Sequence, residues 1–188
     1  MCRPVRVELF EALDAAHADL DDALRGVGDA WNRPSPCDGW TVRDVAQHIV
    51  GGAVRYRLLL DGFGEAEIAP TRALDHLSDD AVAANAEGVE RLMEAAHTAD
   101  LDLPVQHPTG ARSGRQLLHL RIMEVVVHAW DIRTGAGLGG GRDPGVCRFV
   151  LDHFDDMGSL DGFFAPAPAR ADTDPRAALL LLTGRAPG

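Results

Sequence analysis

In the stretch MEVVVHAWD, residues 123–131, an acid and a histidine stand four residues apart inside an apolar run. On a helix that spacing puts Glu124 and His128 on one face, a turn apart. Burying either side chain without a partner costs free energy. Two arrangements remove that cost: a hydrogen-bonded core pair, or a divalent cation held by both groups. An acid/His pair at i, i+4 is a recurrent way for one helix to supply two metal ligands. The three valines between them, Val125, Val126 and Val127, favour a buried setting over an exposed ion pair. A third ligand must then come from elsewhere, and His48 in VRDVAQHIVGG is the candidate. Val45 and Ile49 flank it, and Gly51, Gly52 and Ala53 are small enough to let another helix approach. A His, Glu, His set leaves coordination positions open, as in catalytic rather than structural zinc sites. The competing reading of His48 is a satisfied core histidine.

Other side chains qualify as supporting groups. Arg55 lies seven residues after His48 and Arg121 shares the face of Glu124 and His128, so either arginine can hold a substrate carboxylate bidentately. Arg121 pairing simply with Glu124 or with a solvent-facing acid is the alternative. Asp44 and Asp131 are each placed to orient a ligand histidine from behind. A helix cap through Thr41 competes for Asp44, and a turn-end hydrogen bond competes for Asp131. Cys37 reads as a structural buried thiol, and His17, on an apolar stripe, as a core histidine, with pocket lining as the alternative. Trp40 and Trp130 read as packing at the ends of the helices. His76, His97, His107 and His153 fall in polar or loop surroundings and read as surface residues.

Helices must carry these groups. Residues 6–28 place Phe10, Leu13, His17, Leu20, Leu24 and Val27 at three- and four-residue steps, an amphipathic pattern. NRPSPCDGW reads as a structured loop. A second helix opens on Thr41 and Asp44 at capping-box spacing. A third covers about Ser78 to His97, with Ser78 as N-cap, and DLDLPVQHPTGARSG is an extended or hairpin-like connection. The fourth and most apolar helix holds Glu124 and His128 and stops at Gly135 or Gly137. A fifth runs from about Pro144 to Met157, and the tail is a proline-rich stretch followed by a short helix. The expected architecture is a mainly all-α bundle, with residues 1–188 forming one domain.

Composition narrows the function. The net charge of −11 argues against a nucleic-acid partner. All 18 basic residues are arginine, which excludes lysine Schiff-base chemistry and a Walker A lysine. The aliphatic run at 179–182 is far too short to span a bilayer. With no signal-peptide pattern and three scattered cysteines, the expected location is the cytoplasm. The glycines of GAGLGGGRDP lack Rossmann spacing, and no nucleophile-elbow motif is present.

WNRPSPCDGWTVRDVAQHIVGG together with RIMEVVVHAWDIRTGAG resembles the DinB-like superfamily. More narrowly, these motifs are similar to the metal-binding domain of mycothiol-dependent maleylpyruvate isomerases and related actinobacterial proteins, over roughly residues 8–185. The resemblance implies a four-helix bundle with a divalent metal, zinc first and nickel or another ion next, on His48, Glu124 and His128. It also implies mycothiol or another low-molecular-weight thiol as cofactor. The thiolate would add to a maleyl-type double bond, rotation would follow, and elimination would return the trans isomer; with another electrophile the same chemistry is a thiol transfer. The isomerases carry an additional C-terminal domain, where this sequence has a short tail, which counts against maleylpyruvate itself; the expected substrate is a small, carboxylate-bearing electrophile. Two rival functions remain: a hydrolase or cyclase of specialised metabolism using the metal directly, and a non-catalytic metal- or ligand-binding protein. A homodimer through a helix face fits bundles of this type.

Overall fold

A computed structural model describes residues 8–139, 141, 143–158, 160 and 174–186. Four long helices form a bundle: α1 (Leu9–Gly26), α2 (Val42–Leu60), α4 (Ala81–Thr98) and α5 (Gly114–Ala136). Between α2 and α4 lie the single-turn α3 (Glu65–Ile68) and a 3-10 segment, Ala69–Ala73. A two-stranded antiparallel hairpin, β1 (Pro104–His107) and β2 (Gly110–Ser113), leads into α5, with Pro104 opposite Ser113 and His107 opposite Gly110. After α5 come α6 (Pro144–Asp152), a 3-10 turn at Phe154–Met157, and α7 (Pro175–Leu182). No helix among the described residues is long and apolar enough to cross a membrane.

Packing follows the apolar stripes. α1 lies against α5 and α4, and α2 against the same two helices from the other side. α5 is therefore the central element, also touched by α6, the hairpin and the Phe154–Met157 turn. Its sequence lacks a single polar stripe because it has almost no solvent face: Leu117, Leu118, Leu120, Ile122, Met123, Val125 and Ala129 are all buried. A helix apolar all round belongs in the interior.

Local chemistry sets the ends of the helices. Thr41 Oγ1 accepts from Asp44 N while the Asp44 carboxylate accepts from Thr41 N, the capping box expected at the start of α2. Ser113 and Gln116 do the same for α5. Gly137 ends α5 at φ +77°, a left-handed cap that favours glycine. Two expected boundaries shift. α4 is capped by Asp80, whose carboxylate accepts from Val82 N and Ala83 N; Ser78 sits upstream at φ +50°. The fifth helix ends at Asp152 and gives way after His153 to a 3-10 turn, Phe154–Met157, so it stops short of the expected end at Met157. The expected start of the first helix and most of the proline-rich stretch lie outside the described residues.

Candidate functional site

The loop between α1 and α2 is folded against itself before it meets α5. Pro34 and Thr41 form an isolated bridge, and Ser35 Oγ accepts from Cys37 N (3.1 Å) and donates to Trp40 O (2.9 Å). This turn holds Cys37 beside α5 and Trp40 beside α2. The indole of Trp40, still 39% exposed, lies 5.3 Å from the His48 ring, centroid to centroid.

From opposite sides, α2 and α5 bring His48 and His128 together. Their rings meet edge to face, centroids 5.2 Å apart. Both side chains are half-buried, as are Glu124 and Arg55. Burial first, then the positive fields of His128, Arg55 and Arg121, push the His48 pKa down to about 3, so its ring is neutral at physiological pH. Next to His48 opens a cleft of about 500 Å³ whose walls include Trp40, Arg55, Arg72 and His76. The Arg55 guanidinium reaches back about two turns of α2 to donate to the His48 carbonyl (2.7 Å), which anchors it at the cleft wall. His76, read from sequence as a surface residue, is half-buried here and hydrogen-bonds Thr71 O (2.7 Å).

Each α5 side chain is fixed by a second group. Tyr56 OH donates to Glu124 Oε2 (2.8 Å). Burial, then the charge of Glu124, raises the Tyr56 pKa well above its ordinary value, so the phenol stays protonated. His128 Nδ1 lies 2.9 Å from Asp131 Oδ2. A carboxylate only accepts, so Nδ1 carries the proton and Nε2 keeps the ring's lone pair. Asp131 thus orients His128, as its position three residues on allowed. It serves more than that: Arg185, just beyond α7, donates to both its oxygens (2.7 and 3.2 Å), and Cys37 Sγ donates to Oδ2 (3.2 Å). Burial pushes the Asp131 carboxyl up, but the bonds from His128 and Arg185 outweigh it and hold the group ionised. Burial and that neighbouring carboxylate push the Cys37 thiol up to about 12, so it remains a thiol.

Arg121 lies beneath these groups with no solvent exposure. One of its terminal nitrogens donates to Ile49 O (2.9 Å), and its guanidinium carbon stands 5.5 Å from the centre of the Tyr56 ring. Burial lowers its pKa to about 10, against the opposing pull of Glu124 and Tyr56, so it stays cationic. Gly52 makes room for it: a Cβ there would collide with the guanidinium. The small residues of α2 therefore accommodate an arginine as well as a helix approach.

Among the described residues, two trios place their donor atoms within 4.8 Å of one another: Cys37, His128 and Asp131, and, elsewhere, His119, His153 and Asp156. The first includes one of the sequence-derived ligands, His128; His48 and Glu124 belong to neither. Arg185 donates to both oxygens of Asp131, and His128 and Cys37 also donate to Oδ2, so that trio acts as a hydrogen-bonded clamp behind His128. The groups that sequence reading missed are Arg185, Tyr56 and the clamping role of Cys37. No local spacing links Cys37 to Asp131 or Arg185; the loop and the C-terminal helix do.

Residues 13–133 match the family described as the mycothiol maleylpyruvate isomerase N-terminal domain. The proteins MT0763 and Rv0738, from two strains of Mycobacterium tuberculosis, are each 28% identical over 134 residues, covering 69% of this chain and 70% of theirs. The crystal structure of the mycothiol-dependent maleylpyruvate isomerase superposes with a TM-score of 0.55 at 22% identity, over 79% of this chain and 70% of that one. A histidine-to-alanine mutant of an isomerase of that name gives 0.53 at 18% identity, with the same coverage. At these identities the structural likeness speaks for the fold; the match over residues 13–133 places the chain in the mycothiol maleylpyruvate isomerase N-terminal domain family.

Proposed function

We propose that the protein is a metal- and thiol-dependent enzyme, a transferase or cis–trans isomerase acting on a small, carboxylate-bearing electrophile. The observation that carries this reading is the pairing of neutral His48 with His128 across α2 and α5, beside a cleft walled by Arg55. His48, Glu124 and His128 would hold the divalent ion, zinc first and nickel or a similar ion next. The donor chemistry fits. His48 is neutral, His128 keeps its Nε2 lone pair because Nδ1 is committed to Asp131, and Glu124 has one oxygen held by Tyr56 and a second to offer. Such an ion with open positions stabilises a bound thiol as thiolate at neutral pH, and mycothiol or another low-molecular-weight thiol is the cofactor this family membership suggests.

The chain's own residues have separable tasks. Arg55 binds the substrate carboxylate at the cleft wall. Arg121 packs against the Tyr56 ring from beneath and would place a fixed positive charge under the site, where negative charge develops on the substrate. Tyr56 keeps Glu124 in one rotamer. The Asp131 clamp, with Cys37 and Arg185, keeps His128 in one tautomer. Trp40 and the loop around it limit water at the mouth. The contact of Arg185, just beyond α7, with Asp131 of α5 supports reading the chain as one unit rather than as a bundle with a dispensable tail.

The test is turnover of maleyl-type and other electrophilic carboxylates by the metal-loaded protein, with and without mycothiol. Thiol-dependent turnover that falls by a factor of roughly 100 or more in His48→Ala and shows a raised KM in Arg55→Met supports the reading. Turnover that needs the metal and proceeds equally well without thiol would identify a hydrolase or cyclase using the ion directly. Metal binding without turnover of any substrate would favour a binding protein.

A further inference from the structure

Helix α5 carries a third histidine on its other side. His119 precedes His128 by nine residues, which turns it by about 180° and sets it about 13.5 Å back along the helix axis. It is 95% buried by its 5% residual exposure, and its Nδ1 has no hydrogen-bond partner. A buried, unsatisfied imidazole nitrogen is costly enough to call for an occupant. Facing it is His153, at the junction of α6 and the Phe154–Met157 turn. The two rings stack with centroids 4.4 Å apart and planes 28° apart, and His153 Nδ1 lies 3.0 Å from Asp156 Oδ2. One donor atom from each of the three residues falls within 4.8 Å of the other two.

We propose that His119, His153 and Asp156 form a second divalent-cation site, separate from the one on His48, Glu124 and His128 and independent of the enzyme reading. Two imidazoles and one carboxylate suit zinc or another late first-row divalent ion, with water completing the shell. His119 is the fixed anchor, set in the wall of the bundle next to Phe149, ring centroids 5.5 Å apart. His153 and Asp156 have side chains 31% and 61% exposed, so they can move onto an ion without disturbing the core. The ion takes the place of the proton that His153 and Asp156 now share, and that proton moves to the other ring nitrogen. Bound there, it ties the Phe154–Met157 turn to α5, so its effect is to stabilise the C-terminal part of the fold.

Zinc titration of chelator-stripped, full-length protein, read by calorimetry and by elemental analysis, tests this. In a His48→Ala/His128→Ala background, which removes the other site, one equivalent of zinc is expected to bind and to raise the thermal unfolding midpoint. His153→Gln or Asp156→Asn in that background should weaken it roughly tenfold or more. Both residues are partly exposed, so these variants fold even where His119→Phe does not. Uptake of no zinc in the double-alanine background, or uptake unchanged by His153→Gln and Asp156→Asn, overturns the site. Neither result bears on thiol-dependent turnover, so the two readings fail separately.

Discussion

Two buried polar groups hang from the same helix and are built on opposite terms. Around Asp131, both oxygens are engaged: Arg185 reaches both, and His128 and Cys37 share Oδ2. Around Arg121, one turn into the core from Glu124, the cation has a single hydrogen bond, to Ile49 O; its Nε and its other terminal nitrogen have no protein partner. Nearby, His17 is buried with both ring nitrogens unpaired. The first cluster is arranged to hold one side chain in one orientation. The second leaves two of the cation's donor nitrogens without a hydrogen-bond partner, its charge opposed only at longer range by Glu124 and Tyr56. A saturated network fixes geometry, whereas an unsaturated buried charge projects its field on whatever lies above it.

The sharpest way to break the first half of this contrast is Asp131→Ala. It strands Arg185, Cys37 and His128 together, and losing one partner of a buried ion pair typically costs about 3–5 kcal/mol. Urea unfolding should show that loss, together with a fall of roughly 10–100-fold in affinity at the His128 metal position. A loss within 1 kcal/mol would mean the clamp is ornamental.

Gly52→Ala probes the second half. A methyl group there drives into a guanidinium that the core does not allow to move away, so about 1–3 kcal/mol of destabilisation is expected in the same measurement. The companion Gly28→Ala would be uninformative, because that position has left-handed φ and empty space around it.

His17 distinguishes the regions by pH. Burial first, and then the charge of Arg121, hold its pKa well below the ordinary value near 6.5. Above that value the ring is neutral in both folded and unfolded chains and its contribution is complete. As pH falls below it, the unfolded chain takes a proton that the buried ring refuses, so stability declines with falling pH until the folded pKa is reached. His17→Leu should flatten that decline by as much as about 1.4 kcal/mol per pH unit in pH-resolved denaturant unfolding. An unchanged slope would place the titration elsewhere. The smallest effect expected is for Ser113→Ala, which removes the capping oxygen at the start of α5 and should cost about 1 kcal/mol while leaving the pH slope intact.

How much of this was legible beforehand follows the range of the interactions. Glu124 and His128 announce themselves because helical spacing is local, and so do the Thr41–Asp44 cap, the hairpin before α5 and the Gly137 stop. The facing of His48 and His128 needs two helices to meet, which the motif pair implied and spacing alone could not. Cys37, Asp131 and Arg185 are joined across 94 and 54 residues, and nothing in their neighbourhoods points from one to another. His76, His107 and His153 show the same limit: their local surroundings are polar, yet the 3-10 segment, the hairpin and the α6 break leave each of them half-buried against the bundle. The functional reading depends most on the contacts that sequence pattern sees least.

The most direct check of the central claim is metal analysis of the dialysed, reconstituted protein beside His48→Ala, Glu124→Ala and His153→Gln. The tightest equivalent of zinc, nickel or a similar ion should be lost in His48→Ala and Glu124→Ala and retained in His153→Gln. Retention of that ion in both His48→Ala and Glu124→Ala, with its loss in Cys37→Ser, would contradict the proposed ligands and move the metal to the Cys37, His128 and Asp131 cluster.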